Sequence, residues 1–275
     1  NMSVGKYYKM PTYTMLGYQN NNGEYLNKNN KYTESKHFVT GIDYNVSNSS
    51  KVSIEAFLKK YDNFPVSVID QVSLANKGGD FEVLGNEEVR AVGKGKTYGI
   101  EALFQQKLTN NFYGIFSYTY FHSKFSGFTS EYLPSVWDSR HLVSFSNGYK
   151  LNNNWELSSR LRFAGKTPYV PYDLNASMIS YPEMVLDYSR LGEEKLNNFS
   201  QLDIRVDKKW NKENISISFY FEILNILTQK IPLPPEYGLN RDFNGNIINP
   251  LELTTFNRGK KRKITISFFI KQTYK

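Results

Sequence analysis

Apolar and polar residues alternate with a period of two along most of this 275-residue sequence. Residues 155–164 show the pattern most clearly: one face carries Trp155, Leu157, Leu161 and Phe163, and the other carries Glu156, Ser158, Arg160 and Arg162. Such a period is typical of β-strands, because successive side chains point to opposite faces. The alternation predicts strands at residues 38–46, 51–61, 97–108, 112–125, 140–150, 155–164, 199–210, 215–228 and 262–271, with one more within 3–18.

The connections between these strands alternate in length. Short polar turns lie at residues 47–50, 109–111, 151–154 and 211–214, and long connections lie at 70–96, 126–139, 166–197 and 229–258. Long structureless loops are unusual inside a compact domain. Outer-membrane barrels, however, have short periplasmic turns at one end and long extracellular loops at the other. The loop pattern therefore predicts an all-β fold, an antiparallel transmembrane β-barrel.

The composition supports a membrane barrel. Aromatic residues make up 16% of the chain, with 21 Tyr and 19 Phe, although the mean hydropathy is −0.54. Barrels need aromatic girdles at both membrane interfaces. No apolar run approaches the roughly 18 residues of a membrane-spanning helix, so a membrane protein of this sequence must cross with strands. A soluble β-sandwich is the alternative, but it would need a partner sheet and would not explain the loop asymmetry.

The charge and the cysteine content limit the kinds of site and partner that the chain can have. The absence of cysteine excludes disulfides, thiolate metal sites and cysteine nucleophiles. The net charge is +8 and the pI is about 9.3. Lysine and arginine are spread over strand ends and loops, with one short run at 260–263. This distribution favours solvated or phosphate-facing charge, with lipopolysaccharide phosphates as natural neighbours, and we expect no nucleic-acid partner.

One glycine-rich segment resembles a phosphate loop only superficially. The run Gly93-Lys94-Gly95-Lys96-Thr97 has Arg90 where the motif requires a glycine. It also precedes a predicted strand, so no helix N-terminus is available to bind phosphate. We therefore expect no nucleotide site.

The remaining polar residues give no catalytic or metal pattern. His37, His122 and His141 are far apart in sequence and lack metal-ligand spacing. Asp203 and Asp207 alternate with Arg205, which predicts charge pairing along the barrel wall, and Trp137, Asp138 and Arg140 predict a network at the barrel rim. The sequence therefore predicts a non-enzyme with no catalytic, cofactor-binding or metal-binding residues and no cofactor, and it leaves the ligand-binding residues unknown.

An ordered set of short stretches resembles the C-terminal barrel of TonB-dependent receptors of the Bacteroidetes type. Among them, Phe116-Ser117-Tyr118-Thr119-Tyr120 is similar to the family's aromatic strand, and Pro134-Ser135-Val136-Trp137-Asp138-Ser139-Arg140-His141 is similar to its loop-to-strand junction. The others are residues 5–8, 32–41, 59–65, 98–101, 165–169, 201–206 and 222–226. No single stretch is specific, but together they cover most of the chain in the expected order.

The resemblance implies a location in the bacterial outer membrane and a barrel of about 22 strands, plugged by an N-terminal domain. It also implies active import of a scarce ligand, such as a siderophore, cobalamin or a glycan. The implied partners are outer-membrane lipid and lipopolysaccharide, the TonB complex acting through the plug domain, and the transported ligand. The sequence contains no plug or TonB box, and residues 271–275 run past the expected aromatic end.

We therefore expect residues 1–275 to form one partial barrel domain, the C-terminal portion of a receptor, with nine to ten of its strands. The alternative is a complete ten-stranded outer-membrane barrel that acts as an enzyme or adhesin. As an enzyme it would need a catalytic cluster at its rim, which the sequence does not show.

Overall fold

The computed structural model describes residues 1–77, 85–213, 215–246, 253–256 and 265–274. These ranges are mostly antiparallel β-structure. The strands are β1 (Met2–Lys9), β2 (Thr33–Asn45), β3 (Ser50–Ser67), β4 (Val89–Thr109), β5 (Phe112–Ser126), β6 (Leu133–Pro134), β7 (His141–Leu151), β8 (Trp155–Ala164), β9 (Phe199–Asn211), β10 (Ile215–Leu224), β11 (Glu236–Leu239), β12 (Leu253–Phe256) and β13 (Thr265–Tyr274).

Helices are short and few. The α-helices are α1 (Tyr13–Leu16), α2 (Leu74–Lys77) and α3 (Leu174–Ser180), and single 3₁₀ turns lie at Asn152–Asn154 and Tyr188–Arg190. In the described ranges, no helix has the length and apolar character needed to span a membrane.

The ten long strands form one sheet in the order β1-β2-β3-β4-β5-β7-β8-β9-β10-β13, with every neighbouring pair antiparallel. The short β6 pairs with the end of β5, and β11 pairs with β12 in a separate hairpin. Within the described residues, no pairing joins β13 back to β1. The all-β antiparallel prediction is confirmed, as an open ten-stranded wall with alternating short turns and long loops.

Several predicted boundaries were wrong. β4 begins at Val89, eight residues before the predicted start at 97, so Gly93 and Gly95 lie inside a strand. A Cβ atom on Gly95 would lie 2.3 Å from the ring of Phe125, so this glycine permits close packing and does not form a turn. β10 ends at Leu224, four residues before 228, because Asn225 has a φ of +56° and leaves the strand.

Other ends differ because loop residues impose local structure. β1 ends at Lys9, well before residue 18, since Thr12 caps α1 through its side chain. β2 and β3 are longer than predicted at the long-loop end. The predicted start of the final strand, residues 262–264, lies outside the described residues.

The register places apolar residues side by side on one face, which we call the outer face. One row runs Tyr44, Val52, Phe104, Phe116, Phe145, Leu161 and Leu202 across seven strands. Tyr44, Phe104 and Phe116 of this row are exposed, the other four side chains are half-buried, and Ile42 in the neighbouring row is 75% exposed. In the described part of the chain no second sheet covers this face, so it suits lipid rather than a sandwich core.

The buried core lies at the long-loop end of the sheet. Its apolar members are Val66, Leu74, Ala75, Val89, Phe121, Phe125, Val170, Leu191 and Leu239. All of them lie in the long connections or in the strand ends beside them. Away from the loops, one sheet cannot enclose its own apolar side chains, so the buried apolar side chains of the described residues lie where loops fold over the wall.

Candidate functional site

The long loops pack against one another over this end of the sheet. Asn76, at 1% exposure, donates its amide to the carbonyls of Leu133 (3.1 Å) and Pro134 (2.8 Å). The backbone N–H of Val136 donates to the carbonyl of Ala75 at 3.1 Å. These bonds join α2 to β6, so two loops that are far apart in sequence form one surface.

A charged cluster anchors α2. The ammonium of Lys77 lies 2.5 Å from a carboxylate oxygen of Asp70 and 2.7 Å from one of Glu87. The hydroxyl of Ser67 donates to Glu87 and also lies 3.3 Å from a carboxylate oxygen of Asp70. Burial lowers the pKa of Lys77, but the hydrogen bonds to Asp70 and Glu87 outweigh it and hold the pKa above its usual value of 10.5.

A cavity of about 500 Å³ opens between the loops above this cluster. Its walls come from four connections and include Lys77, Val136, Tyr169, Tyr172, Met184 and Leu233. A concave pocket of this size, lined by both polar and apolar groups, is within the range of small-molecule sites. The cavity is therefore the candidate ligand site, and the sequence did not identify its residues because they meet only through loop packing.

The tyrosines of the cavity are held in place. The hydroxyl of Tyr169 donates to Glu194, and burial together with this hydrogen bond raises the pKa of Tyr169 to about 12. The rings of Tyr172 and Tyr237 lie 5.9 Å apart and nearly perpendicular. Fixed aromatic rings provide flat faces that can stack on a ligand without losing side-chain entropy on binding.

The inner face below the loops carries paired charges. Asp203, 3% exposed, lies 3.1 Å from the guanidinium of Arg160 and 3.6 Å from that of Arg162. Arg205 lies 2.5 Å from Asp207. These contacts confirm the predicted charge pairing along the barrel wall. Asp203 also accepts hydrogen bonds from the side chain of Gln201 and the backbone N–H of Asn225, which fixes the end of β10.

The predicted rim network is also confirmed. Asp138, 1% exposed, lies 3.1 Å from the guanidinium of Arg140 and accepts from the backbone N–H of Ser123 at 3.1 Å. Trp137 donates its indole N–H to the hydroxyl of Ser123 at 3.1 Å. These contacts fasten the start of β7 to the end of β5.

Two of the three histidines come together on the outer face. Tyr120 pairs directly with His141, and the Tyr120 hydroxyl lies 3.0 Å from the ring of His122, which stacks on Tyr98. This aromatic cluster was not predicted because its residues are far apart in the sequence. The register of the predicted hairpins would have placed them side by side. His37 lies apart, against Tyr7. Among the described residues, no group of three His, Cys, Asp or Glu side chains is placed to hold a metal ion.

The open wall, the apolar outer face and the charged inner face together define a segment of a transmembrane β-barrel. Residues 2–226 match the family model described as TonB dependent receptor-like, beta-barrel. The chain therefore belongs to this family of outer-membrane receptors, and it is not an enzyme. Among curated proteins, no sequence matches the chain significantly.

Solved receptor structures share the fold. The pyoverdine outer membrane receptor FpvA from Pseudomonas aeruginosa PAO1, solved with pyoverdine bound, is 15% identical with a TM-score of 0.58, over 98% of this chain and 33% of FpvA. The ferric-catecholate import receptor Fiu from Escherichia coli K12 is 11% identical with a TM-score of 0.55, over 83% of this chain and 28% of Fiu.

The outer membrane transporter YddB from Escherichia coli gives a similar result, with 12% identity and a TM-score of 0.53 over 90% of this chain and 33% of YddB. The chain thus spans about a third of the length of these structures. At such low identities the likeness concerns the fold alone.

Proposed function

We propose that this chain forms part of the barrel wall and the ligand-facing loops of a receptor that imports a scarce small ligand across the outer membrane. The observation that carries the proposal is the cavity of about 500 Å³ enclosed by four long loops. It lies at the long-loop end, which faces the outside in outer-membrane barrels. The ligand classes are a siderophore, cobalamin or a glycan, all of which can stack on tyrosines.

The open sheet supports the proposal that this chain contributes only part of the wall of a larger barrel. A ten-stranded barrel would pair β13 with β1, and the described residues contain no such pair. Unpaired strand edges are not tolerated in lipid, so further strands would complete the wall. We propose that residues 1–275 are one partial barrel domain, the C-terminal portion of a Bacteroidetes-type receptor, and that a plug domain links it to the TonB complex. The ordered stretches of sequence support this assignment.

Transport by the whole receptor tests the proposal. Cells that express it would be offered ⁵⁵Fe-loaded catecholate siderophore, labelled cyanocobalamin or a labelled oligosaccharide. We expect energy-dependent uptake of one of the three, abolished when the TonB complex is deleted. If the receptor imports none of the three ligands, the proposal is contradicted.

Substitutions in the cavity test where the ligand binds. We expect the double variant Tyr172→Ala, Leu233→Ala to raise the half-saturating concentration about tenfold or more, because two contact side chains are truncated. The matched control is Tyr25→Ala, Leu26→Ala, a pair of exposed loop residues outside the cavity. Equal effects of the two double variants would show that the cavity is not the binding site.

A further inference from the structure

Five lysines from five consecutive strands lie in one row of the sheet. Cross-strand pairing joins them directly in the order Lys6, Lys36, Lys60, Lys96 and Lys124. Neighbouring strands lie about 4.8 Å apart, so the row brings like charges close together. Like charges opposite each other destabilise a sheet. Such a row therefore needs anions nearby.

The lysine row lies on the outer face. Along β4, Lys96 has the same parity as Tyr98, Ile100 and Phe104 of the apolar band, whereas Gly93 and Gly95 of the opposite parity are buried. The row directly below the lysines consists of Val4, Phe38, Leu58, Tyr98 and His122. The lysines thus lie where the aromatic and apolar band ends, on the long-loop side.

Carboxylates of the protein neutralise one half of the row. Lys6 and Lys36 lie 3.1 Å and 3.0 Å from the carboxylate of Glu34, and Lys36 lies 3.3 Å from Asp62. These contacts cover β1 and β2. The charge of this half is therefore balanced within the chain.

The other half has no such balance in the described part of the chain. Lys60 is exposed, and neither it nor Lys96 nor Lys124 forms an ion pair there. The ammonium of Lys96 lies 4.5 Å from the centre of the Tyr132 ring, which attracts a cation but adds no negative charge. Lys94, exposed and two residues along β4 with the same parity, adds a further positive charge. We call Lys60, Lys96 and Lys124 the lysine triad.

We propose that the lysine triad binds the phosphate groups of an anionic glycolipid of the outer leaflet. The triad faces lipid rather than the ligand cavity, and it lies at the height where headgroups meet the aromatic belt. An outer-leaflet lipid with two phosphates and several acyl chains matches both features, because the phosphates reach the lysines and the chains cover Tyr98 and Ile100. The inference rests on the proposed orientation, with the long loops outside.

Lipid binding by the purified whole receptor tests the proposal. The probes are bis-phosphorylated lipid A, chemically dephosphorylated lipid A and phosphatidylglycerol, each titrated in zwitterionic detergent micelles. We expect bis-phosphorylated lipid A to bind most tightly. Substituting all three lysines, Lys60→Gln, Lys96→Gln and Lys124→Gln, is expected to weaken that binding on the order of a hundredfold, since each lysine near an anionic surface contributes roughly a factor of five.

The control variant changes the same amount of charge elsewhere. Lys107→Gln, Lys150→Gln and Lys209→Gln replace three exposed lysines at the short-turn end, and we expect their combined effect to be under threefold. A triple arginine variant of the lysine triad is expected to retain binding. Heat-modifiable electrophoretic mobility verifies that every variant is folded.

Results of two kinds, from the variants and from the lipids, would overturn the inference. One is an equal loss of lipid A affinity in the triad and control variants. The other is equal binding of phosphatidylglycerol and lipid A, or no effect of removing the phosphates. Ligand uptake by the same variants separates this inference from the proposed function, because the triad lies outside the cavity and its substitution should leave uptake affinity unchanged.

Discussion

The two ends of this barrel wall are stabilised in different ways. At the short-turn end, residues such as Asn110, Asn111 and Asn153 adopt positive φ angles and turn the chain locally. At the long-loop end, Asn76 and Asp138 are almost fully buried: Asn76 bonds to a second long loop, and Asp138 bonds to the end of β5. The first end depends on local turn chemistry, and the second depends on contacts between distant parts of the sequence. Loss of one side chain should therefore matter far more at the long-loop end.

The largest expected effect on stability is that of replacing Asp138, at the long-loop end. We expect Asp138→Ala to lower the free energy of unfolding by about 2–4 kcal/mol, because it leaves the buried backbone N–H of Ser123 without its acceptor and removes the carboxylate beside Arg140. The comparison at the short-turn end is Asp43→Ala, which removes an exposed pair with Lys51 at 2.9 Å and should cost under about 1 kcal/mol. Urea unfolding of the folded receptor measures both. Equal losses would contradict the comparison.

Glycine substitutions test packing at the two ends. Gly95→Ala places a methyl group against the buried ring of Phe125 and should cost about 1–3 kcal/mol. In Gly114→Ala, at the short-turn end, the new methyl group would lie 3.3 Å from its nearest neighbours, so we expect a smaller cost. The same unfolding assay compares them. A tolerated Gly95→Ala would show that the long-loop end is less tightly packed than described.

The charged cluster around α2 predicts a dependence on alkaline pH. The pKa of Lys77 is raised in the folded protein, so its contribution to stability is present below 10.5 and is lost as the pH rises through the folded value. We expect the free energy of unfolding to fall above pH 10.5 more steeply in the natural protein than in Lys77→Met. Unfolding curves between pH 8 and 12 measure the slopes, with Tyr169 unchanged in both proteins. Parallel slopes would contradict a role for Lys77.

The smallest effect is expected in a short turn. Asn111 has a φ of +72°, which glycine adopts more readily than asparagine. Asn111→Gly should therefore change stability by under about 0.5 kcal/mol, whereas Asn111→Val should destabilise by about 1 kcal/mol or more. Thermal unfolding of the pair measures this difference. A large loss in Asn111→Gly would show that its side chain has a tertiary role.

Strand positions and faces could be predicted because their cause is local. The alternation in residues 155–164 predicted β8 at its observed bounds, and a strand in a barrel wall keeps its period whatever its neighbours are. The pairing of Asp203 with Arg160, and of Arg205 with Asp207, was predictable for the same reason, since all four residues lie on the inner face by parity. The local alternation of apolar and polar residues is thus sufficient to predict the strands of the wall and the faces of their side chains.

The loop end could not be predicted in the same way. The sequence pattern predicts a loop at Gly93 and Gly95, although they lie in β4 where Phe64 and Phe125 pack closely. The cavity residues Tyr172 and Leu233 are separated by about sixty positions in the sequence. Their proximity comes from loop packing, which follows no periodic pattern.

The connection between β1 and β2, residues 10–32, is joined to the start of β4 by two asparagine side chains. Asn27 donates to the carbonyl of Glu87 and accepts from the N–H of Val89, and Asn30 donates to the carbonyl of Val89 and accepts from the N–H of Ala91. Each amide copies the donor and acceptor of a peptide group, so the loop substitutes for a neighbouring strand.

All four bonds must break together if residues 27–30 move away from β4. Hydrogen exchange at the N–H groups of Val89 and Ala91 should therefore report the opening of a loop about sixty residues earlier in the chain. Any force or ligand that lifts this loop removes these bonds from the outer end of β4, which then keeps, among the described residues, only its pairing with β3.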